Sequence, residues 1–291
     1  MGERIEGAIF EGLERSCADP AIDRIVAAPG APGIERIEAS FHGNMFAPHR
    51  HDTYGIGLTL RGTQTFSYRG ARYFSEPGNI IVLHPDEIHD GGAGTDEGLR
   101  YHILYIEPSL LQHVRSEAPR QLPFLKQPVI EDGMLRAYLG SSFRQRHRDL
   151  EPIWVSELIG VMAESLARHA GFPAKPLGPT ASRSAIRARD YLRENFDRVV
   201  RADELESVTG MDRYALARHF RANFGTSPYR YLIMRRLERA RELIATRMSL
   251  AETAVTCGFA DQSHLNRCFK QAVGVTPGKW LNMLDLKASR V

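Results

Sequence analysis

Arg218 and Arg267 stand 49 residues apart, and each is followed two positions later by a phenylalanine, Phe220 and Phe269. Guanidinium groups suit guanine edges and phosphates, so a repeated setting for them asks for an explanation. The same shift carries Leu216 onto Leu265, Gly225 onto Gly274, Ser227 onto Thr276, Pro228 onto Pro277 and Leu232 onto Leu281. At helical spacing Leu265, Cys268, Phe269 and Ala272 share an inward face, which leaves Gln262, Ser263, Asn266, Arg267 and Lys270 outward. In the first copy Leu216, Phe220 and Phe224 point in, while Arg213, Tyr214, Ala217, Arg218 and Arg221 point out. One such face alone is as easily a solvated helix surface. Two copies on one inward frame, with Arg, Gln, Asn and Lys at their tips, point to base edges and phosphates.

A second constellation is made of imidazoles. His49 and His51 are two apart in a strand-like stretch and therefore face the same way, and His89 lies downstream of them. Three imidazoles can ligate a metal, contact an organic effector, or hold the local structure by hydrogen bonds. The residue types leave all three readings open.

The elements that must position these groups divide the chain in two. Residues 41 to 107 read as strands: YGIGLTLRG, TQTFSYRG, ARYFS, NIIVLHP and LRYHILYIEP alternate or run apolar between Gly, Pro and Asp. This is the pattern of a small barrel or sandwich. The period becomes helical over residues 131–147 and 152–170. AGFPAKPLGPTAS, residues 170–182, carries three prolines and no apolar period, as a linker does. Beyond it the chain reads as all helix. Helices are expected over 183–195, 202–208 and 213–223, then a long one from Pro228, and then 250–257, 262–273 and a last one from Pro277. Asp212, Ser227, Asp261 and Thr276 are placed to cap them. Each short helix, glycine turn and second helix makes a helix-turn-helix. The long connecting helix, roughly 26 Å at 1.5 Å per residue, suits two readers held about 34 Å apart on successive major-groove faces.

Charge follows the same division. Residues 183–291 carry 20 Lys plus Arg against 12 Asp plus Glu, whereas residues 1–182 carry 18 against 23. A basic half joined to an acidic half fits a polyanion at the basic end. Cys17, Cys257 and Cys268 form no C-x-x-C pair and read as reduced core residues. No stretch approaches the roughly 18 apolar residues of a membrane span, and the first residues have no signal-peptide pattern, so a cytoplasmic protein without a membrane partner is expected.

GFADQSHLNRCFK with GVTPGKW, and HFRANFGTSPYRYLIMRRLERARELI before them, resemble the DNA-binding domain of the AraC/XylS family of bacterial transcription regulators over residues 183–291. The resemblance implies base-reading positions at Tyr214, Ala217 and Arg218, and at Gln262, Ser263, Asn266 and Arg267. PHRHDTYGIGLTLRG, FSYRG and EPGNIIVLHPDEIHDG resemble, over residues 40–108, that family's cupin-like sensor. The implied fold is α+β and multidomain: a cupin-like β-barrel with following helices, then an all-α double helix-turn-helix domain. The implied domains are a sensor at 1–172 with a dimerising segment at 131–170, a linker at 173–182, and a DNA-binding domain at 183–291.

Metal-dependent cupin enzymes usually add a carboxylate three or four residues after the second histidine, where this chain has Tyr54 and Gly55. Effector contacts are therefore expected at His49, His51, His89 and above all His102, whose counterpart in the family's sugar sensor lines the pocket, with no cofactor or metal. Arg61, Tyr68 and Arg69 are weaker candidates, of a kind that more often fixes loops. The expected protein is not an enzyme but a ligand-responsive regulator, an activator of a neighbouring operon, whose partners are promoter DNA, a small-molecule effector, RNA polymerase and a second copy of itself. The competing class is a metal-dependent cupin enzyme carrying a DNA-binding tail.

Overall fold

The computed structural model describes residues 23–112, 122–144, 147–170 and 178–284. Cys17 and most of the expected linker, 171–177, lie outside the described residues. Among the described residues, ten strands form two antiparallel sheets. The larger has the order β1 (Arg24–Ala31), β2 (Ile34–Phe41), β9 (Leu99–Ile106), β4 (Tyr54–Arg61), β7 (Ile80–Leu83), β10 (Val129–Ile130). The smaller has the order β3 (Asn44–His49), β8 (His89–Ala93), β5 (Gln64–Tyr68), β6 (Ala71–Ser75). The stretches expected as strands, 54–62, 63–70, 71–75, 79–85 and 99–108, hold β4, β5, β6, β7 and β9, and β1, β2, β8 and β10 are additions to the sequence reading.

Alternation along β9 decides what each face does. Leu104 and Ile106 join Ile56, Leu58, Ile80 and Val82 in a core covered by α2 (Gly133–Ser141) and α3 (Pro152–Ala170). Tyr101, Ile103 and Tyr105, on the other face, look into the space between the sheets. Helix α3 spends Leu158, Met162 and Leu166 on this core, and Ile153 remains 74% exposed near its start. The expected helix at 131–147 is shorter, because α2 ends at Ser141 and turns. The buried guanidinium of Arg36 closes that turn by donating to the carbonyls of Pro29, Ser142 and Arg148.

After α1 (Pro108–Gln112), α2 and α3, the helices are α4 (Pro179–Glu194), α5 (Ala202–Thr209), α6 (Arg213–Phe224), α7 (Pro228–Ala245), α8 (Leu250–Thr256), α9 (Gln262–Val273) and α10 (Pro277–Met283). Helix α4 starts four residues earlier than the sequence suggests, with Pro179 in its first turn, so the expected linker is partly helical. Asp212, Ser227, Asp261 and Thr276 all accept a hydrogen bond from the backbone of the first helical turn, as their types require. Gly258 is obligatory in the second turn: its φ is +73°, and a Cβ there would lie 2.6 Å from the Asp197 carbonyl oxygen. Leu216, Phe220 and Phe224 pack into one helical core, and Leu265, Phe269 and Ala272 into the other.

The two halves are docked. Ala47 N–H donates to the Gly274 carbonyl and Arg50 N–H to that of Gln271, each at 3.2 Å, so β3 and the residue after it satisfy carbonyls that the end of α9 leaves open. On the α6 side, Gln112 donates to the Asn223 carbonyl at 2.5 Å. Val275 and Met283 join Ile25, Phe41, Tyr101 and Ile103 in one apolar cluster that crosses the boundary.

Candidate effector cavity and DNA-reading faces

The space between the sheets holds a cavity of about 250 Å³. Ile37, Ile103, Phe66, Ile81 and Leu83 give it apolar walls, and Tyr101 and Tyr105 line it from β9. Its remaining wall comes from the helical half: Met234, Arg235, Leu237, Glu238 and Arg241 of α7, Ala272 and Val273 of α9, and Trp280 of α10. Sequence reasoning placed α7 only as a connector. Its run RRLERAR puts Arg235, Glu238 and Arg241 on one side at helical spacing, and that was the available signal.

Three of the four expected effector histidines meet in this cavity. The ring centres of His49 and His89 are 4.3 Å apart, those of His51 and His89 4.8 Å, and those of His49 and His51 6.4 Å. In each ring Nδ1 donates to a nearby carbonyl: His49 to Ala47 at 2.8 Å, His51 to Thr53 at 2.8 Å, His89 to Glu87 at 3.0 Å. A carbonyl can only accept, so all three rings carry their proton on Nδ1 and present a bare Nε2 lone pair. Burial, helped by mutual repulsion for His51, lowers His49 from the ordinary 6.5 to about 4 and His51 to about 3. Burial and the two neighbouring rings hold His89 well below the usual range. The imidazoles are neutral at pH 7.

The fourth candidate, His102, is elsewhere. It lies on the Leu104 face of β9, stacks on Phe143 at 3.9 Å and meets Glu38 at 3.0 Å. The reason is register: Tyr101 and Ile103 take the cavity side, so the residue between them must face the helices. Of the weaker candidates, Tyr68 is engaged with His84 at 2.6 Å, and Arg69 lies over the Phe124 ring at 4.4 Å. Both sit against loop residues and outside the cavity.

Tyr54 and Gly55 complete the comparison with a metal-binding set. Tyr54 turns away from the histidines and donates to the Pro123 carbonyl at 2.7 Å. A Cβ on Gly55 would already touch the His51 ring and Ile103 at 3.4 Å, so the position a carboxylate would need is packed against the imidazole and holds no acidic group. Among the described residues no group of three His, Cys, Asp or Glu side chains is arranged to hold a metal ion.

Two ion pairs tie the cavity rim to α7. Arg235 reaches Asp52 at 2.9 Å with both side chains under one-tenth exposed, and Arg241 grips both oxygens of Glu35 at 2.5 and 3.0 Å. A third pair, Arg230 with Asp86 at 2.5 Å, lies nearer the start of α7. The Arg241 guanidinium draws Glu35 below the usual carboxylate range against the opposing effect of burial.

The outward faces of α6 and α9 stay open. Tyr214, Arg218 and Arg221 are exposed, as are Gln262, Ser263, Arg267 and Lys270; Ala217 and Asn266 are half-buried. Arg213, also exposed, is held by Glu206 at 2.8 Å, and Arg221 lies 3.9 Å from Asp86. The structure thus keeps most of the two expected reading faces clear of the barrel while burying the inward frame beneath them.

Comparison with known proteins agrees with this division. Residues 31–159 match the AraC-like ligand binding domain, and residues 205–283 match a helix-turn-helix domain. An uncharacterized HTH-type transcriptional regulator of Bacillus subtilis, YbfI, is 25% identical over 227 residues, 76% of this chain and 81% of its own length. The arabinose operon regulatory protein of Escherichia coli is 24% identical over 266 residues, 85% of this chain and 87% of its own. In fold, ToxT from Vibrio cholerae superposes with a TM-score of 0.63 at 14% identity, covering 88% of this chain and 100% of that one. With a β-rich ligand-binding half, a doubled helix-turn-helix half and relatives of the same two-part plan, the chain belongs to the AraC family of ligand-responsive, DNA-binding transcription regulators.

Proposed function

We propose that this regulator takes its effector in the cavity between the sheets and reads promoter DNA through the outward faces of α6 and α9. The observation that carries this is the shared wall: the cavity that holds His49, His51 and His89 is closed by α7, the helix joining the two helix-turn-helix units. A small molecule there touches both halves at once, so its binding free energy depends on how they are docked. Tyr214, Ala217, Arg218, Gln262, Ser263, Asn266 and Arg267 read base edges, while Arg221 and Lys270 hold the backbone. Arg213, tied to Glu206, positions the start of α6. The protein acts in the cytoplasm as a homodimer, with RNA polymerase as its downstream partner, and activates a neighbouring operon. No observation favours the enzyme alternative.

The test is duplex binding by the full chain across a salt series. Neutralising about four to six phosphates per chain gives a log-log slope of roughly −4 to −5, and a salt-independent affinity would refute the reading. Effector affinity measured with and without operator DNA must differ by the same factor by which effector changes DNA affinity.

A further inference from the structure

The cavity also carries information about what it binds. Three rings that spend their only proton on backbone carbonyls offer three lone pairs and no donor. His51 Nε2 is buried without a hydrogen-bond partner, on a ring that lines the cavity. An unsatisfied buried acceptor is costly, so the natural occupant brings N–H or O–H groups. Charge narrows the choice. Among the described residues five carboxylates line the cavity: Glu35, Asp52, Asp90, Glu107 and Glu238. Only two guanidiniums among those residues do, Arg235 and Arg241, and both are already paired with carboxylates. Asp90 favours positive charge at His49, and Glu35 favours it at His51, yet burial keeps both rings neutral. Carboxylates thus outnumber guanidiniums at the cavity wall.

The geometry points to a primary organic ammonium ion as the effector class, its N–H groups donating to the Nε2 atoms of His49, His51 and His89 and its carbon skeleton lying against Phe66, Ile103 and Trp280. This rests on the cavity being the effector site. An anion would face three lone pairs and a surplus of carboxylates. A quaternary ammonium has no N–H to give. An alcohol donates only one hydrogen bond, and without charge assistance.

Trp280 in the cavity wall supplies the readout, and Trp154→Phe removes the only other tryptophan. Four probes of similar size are titrated into the full chain: 2-phenylethylamine, its N,N,N-trimethyl derivative, 2-phenylethanol and 3-phenylpropanoate. The amine should bind at least about tenfold tighter than each of the others. His51→Leu should remove that preference. If this variant does not fold, the four-probe series on the His51-containing protein still decides. Equal or tighter binding of the carboxylate, the alcohol or the quaternary ion overturns the proposal, as does no response to the amine at millimolar concentration. Retention of one Co²⁺ per chain, lost in His51→Leu, overturns it in favour of a metal. Duplex DNA binding is measured on the same samples. An overturned ligand preference with DNA binding intact leaves the regulator reading standing, whereas loss of DNA binding defeats that reading whatever the probes do.

Discussion

Gly274, which ends the second reading helix, lies so close to His49 that a Cβ on it would stand 3.1 Å from the imidazole Nδ1. A wall of the cavity and the end of α9 are therefore in direct contact. Gly274 also has φ +81°, and Gly210, at φ +66° with nothing within 4 Å of its Cβ position, is a control for that part of the effect. Gly210→Ala should cost about 1 kcal/mol for the left-handed backbone alone. Gly274→Ala should cost visibly more in denaturant unfolding of the full chain, because Phe46 and His49 must also give way. Equal losses would show that the contact with β3 is slack.

The Arg235–Asp52 pair is buried on both sides, and its value lies in being complete. Asp52→Ala should destabilise the chain, by less than the roughly 3–5 kcal/mol of a fully stranded charge, since it removes the most deeply buried partner of the guanidinium and leaves it to Glu238 and Glu107. Replacing both partners, with Asp52→Leu and Arg235→Met, should recover most of that loss. A double variant as unstable as the single one would mean that Glu107 and Glu238, which also reach Arg235, carry the site.

For DNA, Arg218→Ala and Arg267→Ala should each relax preference at a different group of base pairs, at about 1–3 kcal/mol per site. Lys270→Ala should weaken all sequences alike. Arg213→Ala should leave preference nearly unchanged, because Glu206 already occupies its guanidinium. Binding-site selection with randomised duplexes checks all four, and overlapping footprints for Arg218 and Arg267 would contradict two separate readers.

Stability should fall with pH in a defined window. His49 and His84 are lowered by burial from 6.5 to about 4, and His51 to about 3. Below pH 6.5 the unfolded chain takes up protons that the folded one refuses, so unfolding gains about 1.4 kcal/mol per histidine per pH unit until the folded values are reached. The loss is thus absent above about pH 7 and progressive from 6.5 downward. Chemical denaturation at pH 7, 6 and 5 reads the slope, and His51→Gln should make it shallower. An unchanged slope would mean that His51 titrates normally.

His102→Leu should leave effector affinity unchanged, because this ring stacks on Phe143, in the turn after α2, and lies outside the cavity. Calorimetry of the variant with any ligand that binds the parent chain is sufficient, and a large loss of affinity would return His102 to the site.

The helical half was legible in the sequence because its signals are local: caps at Asp212, Ser227, Asp261 and Thr276, turn glycines at 210 and 258, and a frame repeated after 49 residues. Strand faces are another matter. Period two along YHILYI separates His102 from Tyr101 and Ile103, but which set meets the cavity depends on where α2 and α3 pack. Strand β1 is interrupted by Pro29 and Gly30 and reads as a loop, yet it pairs with β2 through a register shift. Arg235 and Arg241 look like surface charge on a connecting helix. Their partners Asp52 and Glu35 lie about two hundred residues away, and no local pattern announces that pairing.

Helix α7, 18 residues and so about 27 Å long, is both a wall of the cavity and the spine between α6 and α9. Its middle, where Arg235 and Glu238 sit, is held at the cavity, so a rigid tilt there would act as a lever on both ends. A tilt of ~5° about that pivot moves each end by roughly 1 Å in opposite senses. Displacements of that size are enough to bring a side chain into or out of hydrogen-bond range of a base, so the two groove contacts would be tuned as a pair rather than one by one.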